Sequence, residues 1–180
     1  MANYDFTFKI LLLGDASVGK TSFTKQYCYN IFNPSERMTI GVDFHVKTIE
    51  LEHEGEIKNI KLQIWDLGGE DRFRFLLPTY CLGANAAFLL YDTTRPSTLD
   101  NIPEWITIVR QKGGRIPIFL VEAKIDLTQR KIPKSHGEQL VEQYNLSDFI
   151  EISSKTDENV DLAFEKLVRI TLEQQKNTER

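Results

Sequence analysis

Eight consecutive residues, Gly14-Asp15-Ala16-Ser17-Val18-Gly19-Lys20-Thr21, carry the most specific chemistry in the sequence. Their spacing is G-x-x-x-x-G-K-[ST], and the defined positions each have a physical task. Glycines let the backbone curl until successive N–H groups face inward around a phosphate. A helix that starts near Lys20 turns the positive end of its dipole toward the same point. The Lys20 ammonium neutralises terminal phosphates, and the Thr21 hydroxyl is suited to ligate a magnesium ion. A glycine-containing turn followed by a chance Lys-Thr is the competing reading. It loses because the motif is complete and lies between a strand pattern and a helix pattern. The motif selects phosphoryl chemistry but neither the base nor the reaction, since several classes of nucleotide-handling enzyme share it.

Such a loop needs a strand before it and a helix after it. Phe6 to Leu13 is a short apolar run that predicts a buried strand ending at the loop. Val42, Phe44 and Val46 alternate with Asp43, His45 and Lys47, the period of a half-buried strand. Ile60, Leu62 and Ile64 repeat the pattern after a turn around His53 to Glu56, which predicts a hairpin. Ala86 to Tyr91, Ile116 to Val121 and Phe149 to Ile152 are continuous apolar runs, as expected of strands covered on both faces. Ile102, Trp105, Ile106 and Val109 recur at helical spacing near 98–112, with Trp105 read as core. Pro133 suits the first turn of a helix reaching about Tyr144. Val160, Ala163, Phe164 and Leu167 mark a last helix, with Asp157 as its cap. Together these predict an α/β fold: a six-stranded, mostly parallel sheet with one antiparallel edge strand and helices on both faces. That architecture binds ligands at the carboxyl ends of its strands, where Gly14 to Thr21 falls.

Composition bounds the rest. The 180 residues leave room for one domain, and 41 % hydrophobic with 27 % charged residues argues against disorder. Against 22 basic residues stand 26 acidic ones, so charge makes no case for nucleic acid or an anionic membrane. Apolar runs such as Ile10 to Leu13 are too short to span a bilayer, and Met1-Ala2-Asn3-Tyr4-Asp5 lacks a signal-peptide pattern. A cytoplasmic location is expected, with Cys28 and Cys81 as free thiols. His45, His53 and His136 show no metal-ligand spacing and read as surface residues. Ala2 argues against myristoylation, and the stretch Glu173 to Arg180 has no cysteine. No direct lipid anchor is therefore expected, and membrane recruitment would need a partner.

Three further segments resemble the Ras superfamily of small GTPases. Met38-Thr39-Ile40-Gly41-Val42-Asp43-Phe44 resembles its first switch, and the IGVDF run is Rab-like. Trp65-Asp66-Leu67-Gly68-Gly69-Glu70 sits where the family has its second switch, WDTAGQ. Ala123-Lys124-Ile125-Asp126 and Ser153-Ser154-Lys155 fall where its guanine-reading loops belong. The resemblance spans residues 7–172 and implies one P-loop NTPase G domain over 1–180. It also implies a switch that binds GTP or GDP with magnesium, slowly hydrolyses GTP, and presents an effector surface in the GTP state.

By the same resemblance, Gly14, Ala16, Ser17, Val18, Gly19, Lys20, Thr21 and Ser22 surround the phosphates. Thr21, Thr39 and Asp66 hold the metal, Asp66 through water. Thr39 and Gly69 offer backbone N–H groups to the γ-phosphate, and Lys20 neutralises it. Phe32 packs edge-on against the base, a helix-end apolar staple being its alternative role. The stems of Lys124 and Lys155 cover the two faces of the base, and a backbone N–H near Ser153 and Ser154 meets the guanine oxygen. Asp126 accepts from guanine N1–H and the N2 amine. Adenine lacks that amine and presents an acceptor at N1, so it would leave the carboxylate unpaired.

Four positions matter as departures or additions. Glu70 replaces the glutamine that orients the attacking water; a carboxylate can accept from water but cannot donate, and it adds negative charge beside the phosphates. Ala16 adds a methyl where Ras carries glycine, which together with Glu70 implies slow, partner-stimulated turnover. Ala123 replaces the asparagine of NKxD, which bonds the base and braces the phosphate loop, so faster nucleotide exchange is expected. Arg37 suggests an arginine supplied in cis, although a solvated loop residue is the plainer reading. Phe44, Trp65 and Tyr80 occupy the aromatic positions through which Rab proteins contact effectors. The expected partners are effectors, activating proteins and exchange proteins, and the chain itself is expected to be a monomer. A GTP-binding scaffold with negligible hydrolysis and a phosphoryl-transfer kinase are the alternatives.

Overall fold

The computed structural model describes residues 4–178. The N-terminal Met1-Ala2-Asn3 and the end of the C-terminal tail, 179–180, on which the leader and anchor expectations partly rest, lie outside them. The chain runs β1 (Phe6–Leu13), α1 (Lys20–Tyr29), β2 (Val42–His53), β3 (Glu56–Leu67), a 3-10 turn (Asp71–Leu76) and α2 (Leu77–Tyr80). It continues β4 (Ala86–Asp92), α3 (Pro96–Asp100), α4 (Ile102–Gly113), β5 (Ile118–Ala123), α5 (Lys134–Tyr144), β6 (Asp148–Ile152) and α6 (Val160–Thr178). The strands form one sheet in the order β2-β3-β1-β4-β5-β6, parallel except for β2 at the edge. This is the expected α/β topology, with one antiparallel edge strand.

Burial explains the sheet. All of β4 and β5 is buried, which is why both read as unbroken apolar runs. Phe8, Ile10, Leu12, Phe88 and Val121 face a layer that includes Phe23 of α1 and Phe164 of α6. Leu11, Leu13, Ala87, Leu89 and Leu120 face the other layer, with Trp105 and Val109 of α4. The β2–β3 turn places Glu54 and Gly55 at φ 54° and 80°, the two left-handed residues that a tight hairpin turn requires.

Several local expectations need correction. The helix foreseen near 98–112 is two helices, because Pro103 cannot continue α3: its ring would meet the carbonyl four residues back. It sits instead in the first turn of α4. Asp157 does not cap α6; it lies in a left-handed turn at φ 62°, and Asn159 O accepts the first helical bond, from Ala163 N–H. Ile116 precedes β5 rather than belonging to it. The 3-10 turn and α2 carry too short a pattern to be foreseen.

The structure also decides which face of β2 is covered: Phe44 and Val46 point away from the core, whereas Ile49 and Leu51 pack on it. Phe44 and Val46 are 47 % and 43 % exposed, whereas His45 is 6 % exposed and its Nδ1 lies 3.0 Å from the Tyr29 hydroxyl. Alternation defines two faces but not which of them is covered. Pairing decides it: His45 stands opposite Ile64, on the α1 side, and Phe44 opposite Trp65, on a stretch of the edge that stays open.

Gly14 shows how tightly the sheet holds the loop. It takes φ 136°, and a Cβ there would collide with the Leu90 carbonyl oxygen of β4. Gly14→Ala is expected to cost at least about 2 kcal/mol of stability, read from the urea unfolding midpoint; an unchanged midpoint would show that this close approach carries no strain.

Candidate functional site

The β1–α1 loop leaves the sheet at Leu13 and returns as a helix at Lys20, with Gly14, Ser17 and Gly19 at φ 136°, 61° and 113°. Ser17 is the one non-glycine of the three and is the more strained for it. Beside the loop lies a cavity of about 410 Å3, within the range of small-ligand sites. Ala16, Ser17, Gly19, Lys20, Thr21 and Ser22 form one wall, and Phe32 and Thr39 another. Gly69 and Glu70 come from the β3 side, and Lys124, Asp126, Ser154 and Lys155 from the far end of the sheet. Segments remote in sequence thus meet at the carboxyl edge.

Four expected site residues do not line the cavity. Val18 is fully buried in the core, so only its backbone is available to a ligand. Gly14 is spent on the approach to β4. Ser153 is also buried; its hydroxyl donates to Asp126 Oδ1 at 2.7 Å and so orients the carboxylate. Asp66 sits behind the wall, and its surroundings are distinctive.

The hydroxyls of Thr21 and Thr39 are 2.7 Å apart, and both donate to Asp66 Oδ2, Thr39 at 3.4 Å. Asp66 Oδ1 is buried with no hydrogen-bond partner. Burial raises the Asp66 pKa, opposed by the Thr21 bond and by Lys20 and His45. Two hydroxyls and an orphaned carboxylate oxygen, all hard oxygens, suit magnesium: octahedral bonds of about 2.0–2.1 Å put neighbouring ligands roughly 3 Å apart. Among the described residues no group of three or more His, Cys, Asp or Glu offers a rival metal site.

Lys20 is almost fully buried, and its Nζ donates to the Gly14 and Asp15 carbonyls at 2.8 Å each. Burial lowers its pKa to about 8, against the pull of Asp66 and Asp15 and aided by Arg95. Gly69 lies against the loop so closely that a Cβ would collide with the backbone of Asp15 and Ala16. Gly68 makes a similar approach to the Thr39 segment: its N–H donates to Gly41 O at 2.8 Å, and a Cβ would come within 2.7 Å of Thr39 O. Two adjacent glycines therefore let β3 exit between the two other walls.

The departures acquire surroundings. Glu70 lines the cavity but is paired with Arg72, Nε to Oε2 at 2.7 Å and Nη2 to Oε1 at 3.2 Å, so its charge is partly matched. Arg37 lines the same cavity as an exposed residue. Ala123 is buried at the end of β5, its methyl toward Gly19. Phe44 meets Trp65 edge-on at 5.3 Å between ring centroids, and Trp65 lies 5.8 Å from Tyr80, making one aromatic row.

Sequence reading missed the residues that hold the loop from behind. Asp15 accepts from Trp105 Nε1 at 2.9 Å and from Asn101 Nδ2 at 2.7 Å, so the buried tryptophan of α4 also anchors the loop. Arg74 stacks 4.8 Å over Trp105, pairs with Glu104 at 2.6 Å and lies 3.6 Å from Asp15. These partners stand 59 to 90 residues from Asp15, and no local pattern could have joined them. The histidine expectation also changes: His45 is buried, while His136 is exposed and His53 partly so.

Comparison with known proteins agrees with the geometry. A family model described as the Ras family matches residues 9–173. The chain is 38 % identical to Ras-related protein Rab-30 of Homo sapiens over 181 residues, covering 99 % of this chain and 87 % of the relative. It is 39 % identical to Ras-related protein Rab-8B of Homo sapiens over 168 residues, covering 92 % and 79 %. Ras-related protein Rab-3 of Caenorhabditis elegans is 38 % identical over 170 residues, covering 93 % and 75 %. The G-domain sheet, the loop at its carboxyl edge and these relatives lead to one conclusion: the chain belongs to the Ras family, as a Rab-like small GTPase that binds guanine nucleotides.

Proposed function

We propose that the chain is a magnesium-dependent guanine-nucleotide switch with slow intrinsic hydrolysis. The observation that carries this reading is the meeting of the Thr21 and Thr39 hydroxyls at one oxygen of Asp66, whose other oxygen is buried and unpaired. These residues come from α1, the segment before β2, and β3, and would hold the ion. Bound there, magnesium would neutralise phosphate charge. A γ-phosphate within reach of the Thr39 and Gly69 backbone N–H groups would draw both segments inward, and its loss would release them.

Each end of the cavity has its task. The loop N–H groups and Lys20 hold the phosphates. Ser22 adds a hydroxyl on the same wall. Asp126, held on one oxygen by Ser153, selects guanine; Lys124, Lys155 and Phe32 enclose the base, with the backbone near Ser154 at its oxygen. In hydrolysis a water oxygen attacks the γ-phosphorus, the bond to the β–γ bridging oxygen breaks, and GDP and phosphate leave. Glu70 would accept from that water but donates nothing to the transition state, and Ala16 narrows the approach. Turnover is therefore slow without an activating partner.

The family implies effectors, activating proteins and exchange proteins in general. Phe44, Trp65 and Tyr80 are the proposed effector contact, since the row is part-exposed and borders both segments that would move. We assign the chain one G domain, acting as a cytoplasmic monomer that a partner can bring to membranes; among the described residues no helix is long and apolar enough to cross one.

Analysis of bound nucleotide and phosphate release from the purified protein tests the reading: guanine nucleotide with slow release is expected, and adenine nucleotide or none would overturn it. In single turnover, Glu70→Gln is expected to raise the rate by about tenfold or more by restoring a donor. Equal rates for wild type and Glu70→Ala would deny Glu70 any part.

Lys20 supplies a pH signature. With its folded pKa near 8 and that of a free lysine at 10.5, the unfolded chain binds more protons across that window. Nucleotide-free stability should therefore rise from pH 8 toward pH 10.5. GDP, by restoring the ammonium, should take up about half a proton per site at pH 8, measured by calorimetry in two buffers of different ionisation enthalpy. No uptake would contradict the buried, partly neutral lysine.

A further inference from the structure

The backbone that turns its N–H groups toward a phosphate turns its carbonyls away from it, and two consecutive carbonyls here meet cations. Arg95 Nη2 donates to Ala16 O at 2.9 Å, and Lys124 Nζ donates to Ser17 O at 2.8 Å. Both cations are held by one carboxylate. Asp92, 2 % exposed at the end of β4, accepts from Lys124 Nζ at 2.7 Å and from Arg95 Nε at 3.2 Å. Thr94 N–H and Thr94 Oγ1 donate to the other Asp92 oxygen at 2.9 and 2.7 Å. Burial alone would raise the pKa of Asp92, yet the bonds from Lys124 and Thr94 bring it below the ordinary carboxylate value, so it stays charged.

The position of Arg95 is itself fixed. Thr98 Oγ1 donates to Arg95 O at 2.7 Å, and Arg95 N–H donates to Asp92 O at 2.9 Å, tying the start of α3 to the end of β4. The clamp also falls where the loop is most strained, since Ser17 holds φ 61° without being glycine. Two residues on from Ser17, Ala123 offers only a methyl toward Gly19. A side-chain amide there would have been the direct brace.

We propose that Arg95, tethered to Asp92, is a positioning residue for nucleotide binding that holds the phosphate loop in the place of the asparagine missing at 123. Charged donors suit the task, because a hydrogen bond from a cation to a carbonyl is stronger than one from an amide. The guanidinium suits it better than an ammonium, because separate nitrogens of one rigid fork serve Asp92 and Ala16. The consequence modifies the expectation of fast exchange: the cost of Ala123 is offset while Arg95 is in place. The proposal rests on the reading that Gly14 to Thr21 cradles the phosphates.

The test is a double-mutant cycle on the release of fluorescently labelled GDP, using Arg95→Ala and Ala123→Asn. In the wild-type background Arg95→Ala should speed release by about five- to tenfold, and in the Ala123→Asn background by less than about twofold. A merely structural arginine would have the same effect in both backgrounds, and that result overturns the proposal. Arg95→Lys provides an arm that does not depend on how position 123 packs. Lacking the fork, it should release nearly as fast as Arg95→Ala, and release as slow as wild type would overturn the bridging role. Wild type that retains no guanine nucleotide would defeat the underlying reading, whereas wild type that binds GDP with release unchanged by Arg95→Ala defeats this proposal alone.

Discussion

A polyanion held by backbone N–H groups requires a loop bent against its own preferences, and that constraint organises this molecule. Gly14, Ser17 and Gly19 all adopt positive φ within one turn of chain. Such a loop keeps its shape only if the surroundings over-determine it. Here they act from every side: Leu90 of β4 beneath Gly14, Trp105 and Asn101 on Asp15, cations on the Ala16 and Ser17 carbonyls, and Lys20 on the carbonyls of Gly14 and Asp15. The sheet and α4 therefore support the proposed nucleotide site even where no side chain of theirs would touch a ligand.

The switch logic depends on the same loop being a fixed reference. Thr39 and Gly69 belong to segments with little local structure of their own, between α1 and β2 and between β3 and the 3-10 turn. What brings them to the loop is close packing through Gly68 and Gly69 and shared hydroxyl contacts at Asp66. Met38 and Ile40 of the first segment are largely exposed, so a few charge-assisted bonds to a phosphate would be enough to shift its balance. Arg74, against Trp105 and close to Asp15, gives the second segment a direct link to the wall of the loop.

The edge strand shows how a surface is made from ordinary sheet geometry. Turning Phe44 and Val46 outward leaves apolar area in water, but a one-residue shift of register would turn Ile49 and Leu51 out of the core instead. The register is pinned by a long antiparallel pairing with β3, which sets Phe44 beside Trp65 and His45 beneath the covered side. The exposed aromatic row is thus a consequence of pairing, and it borders the two segments proposed to respond to nucleotide.

The phosphate loop, β1, the buried strands and the helices α5 and α6 were legible in sequence because each rests on local spacing: G-x-x-x-x-G-K-[ST], unbroken apolar runs, or apolar residues every three to four positions. The segments proposed to read the base rest on short motifs, since a carboxylate at Asp126 would complement guanine. Illegible were the facing of β2, the pairing of Glu70 with Arg72, the anchoring of Asp15 and the clamp on Ala16 and Ser17. The reason is common to most of them: alternation cannot say which face is covered, and Asp15 with Trp105, or Ala16 with Arg95, lie 90 and 79 residues apart. Sequence alone determined which atoms could meet a guanine nucleotide. Tertiary structure decided what holds those atoms still, because only packing of distant segments brings a buried carboxylate and two cations behind a strained loop.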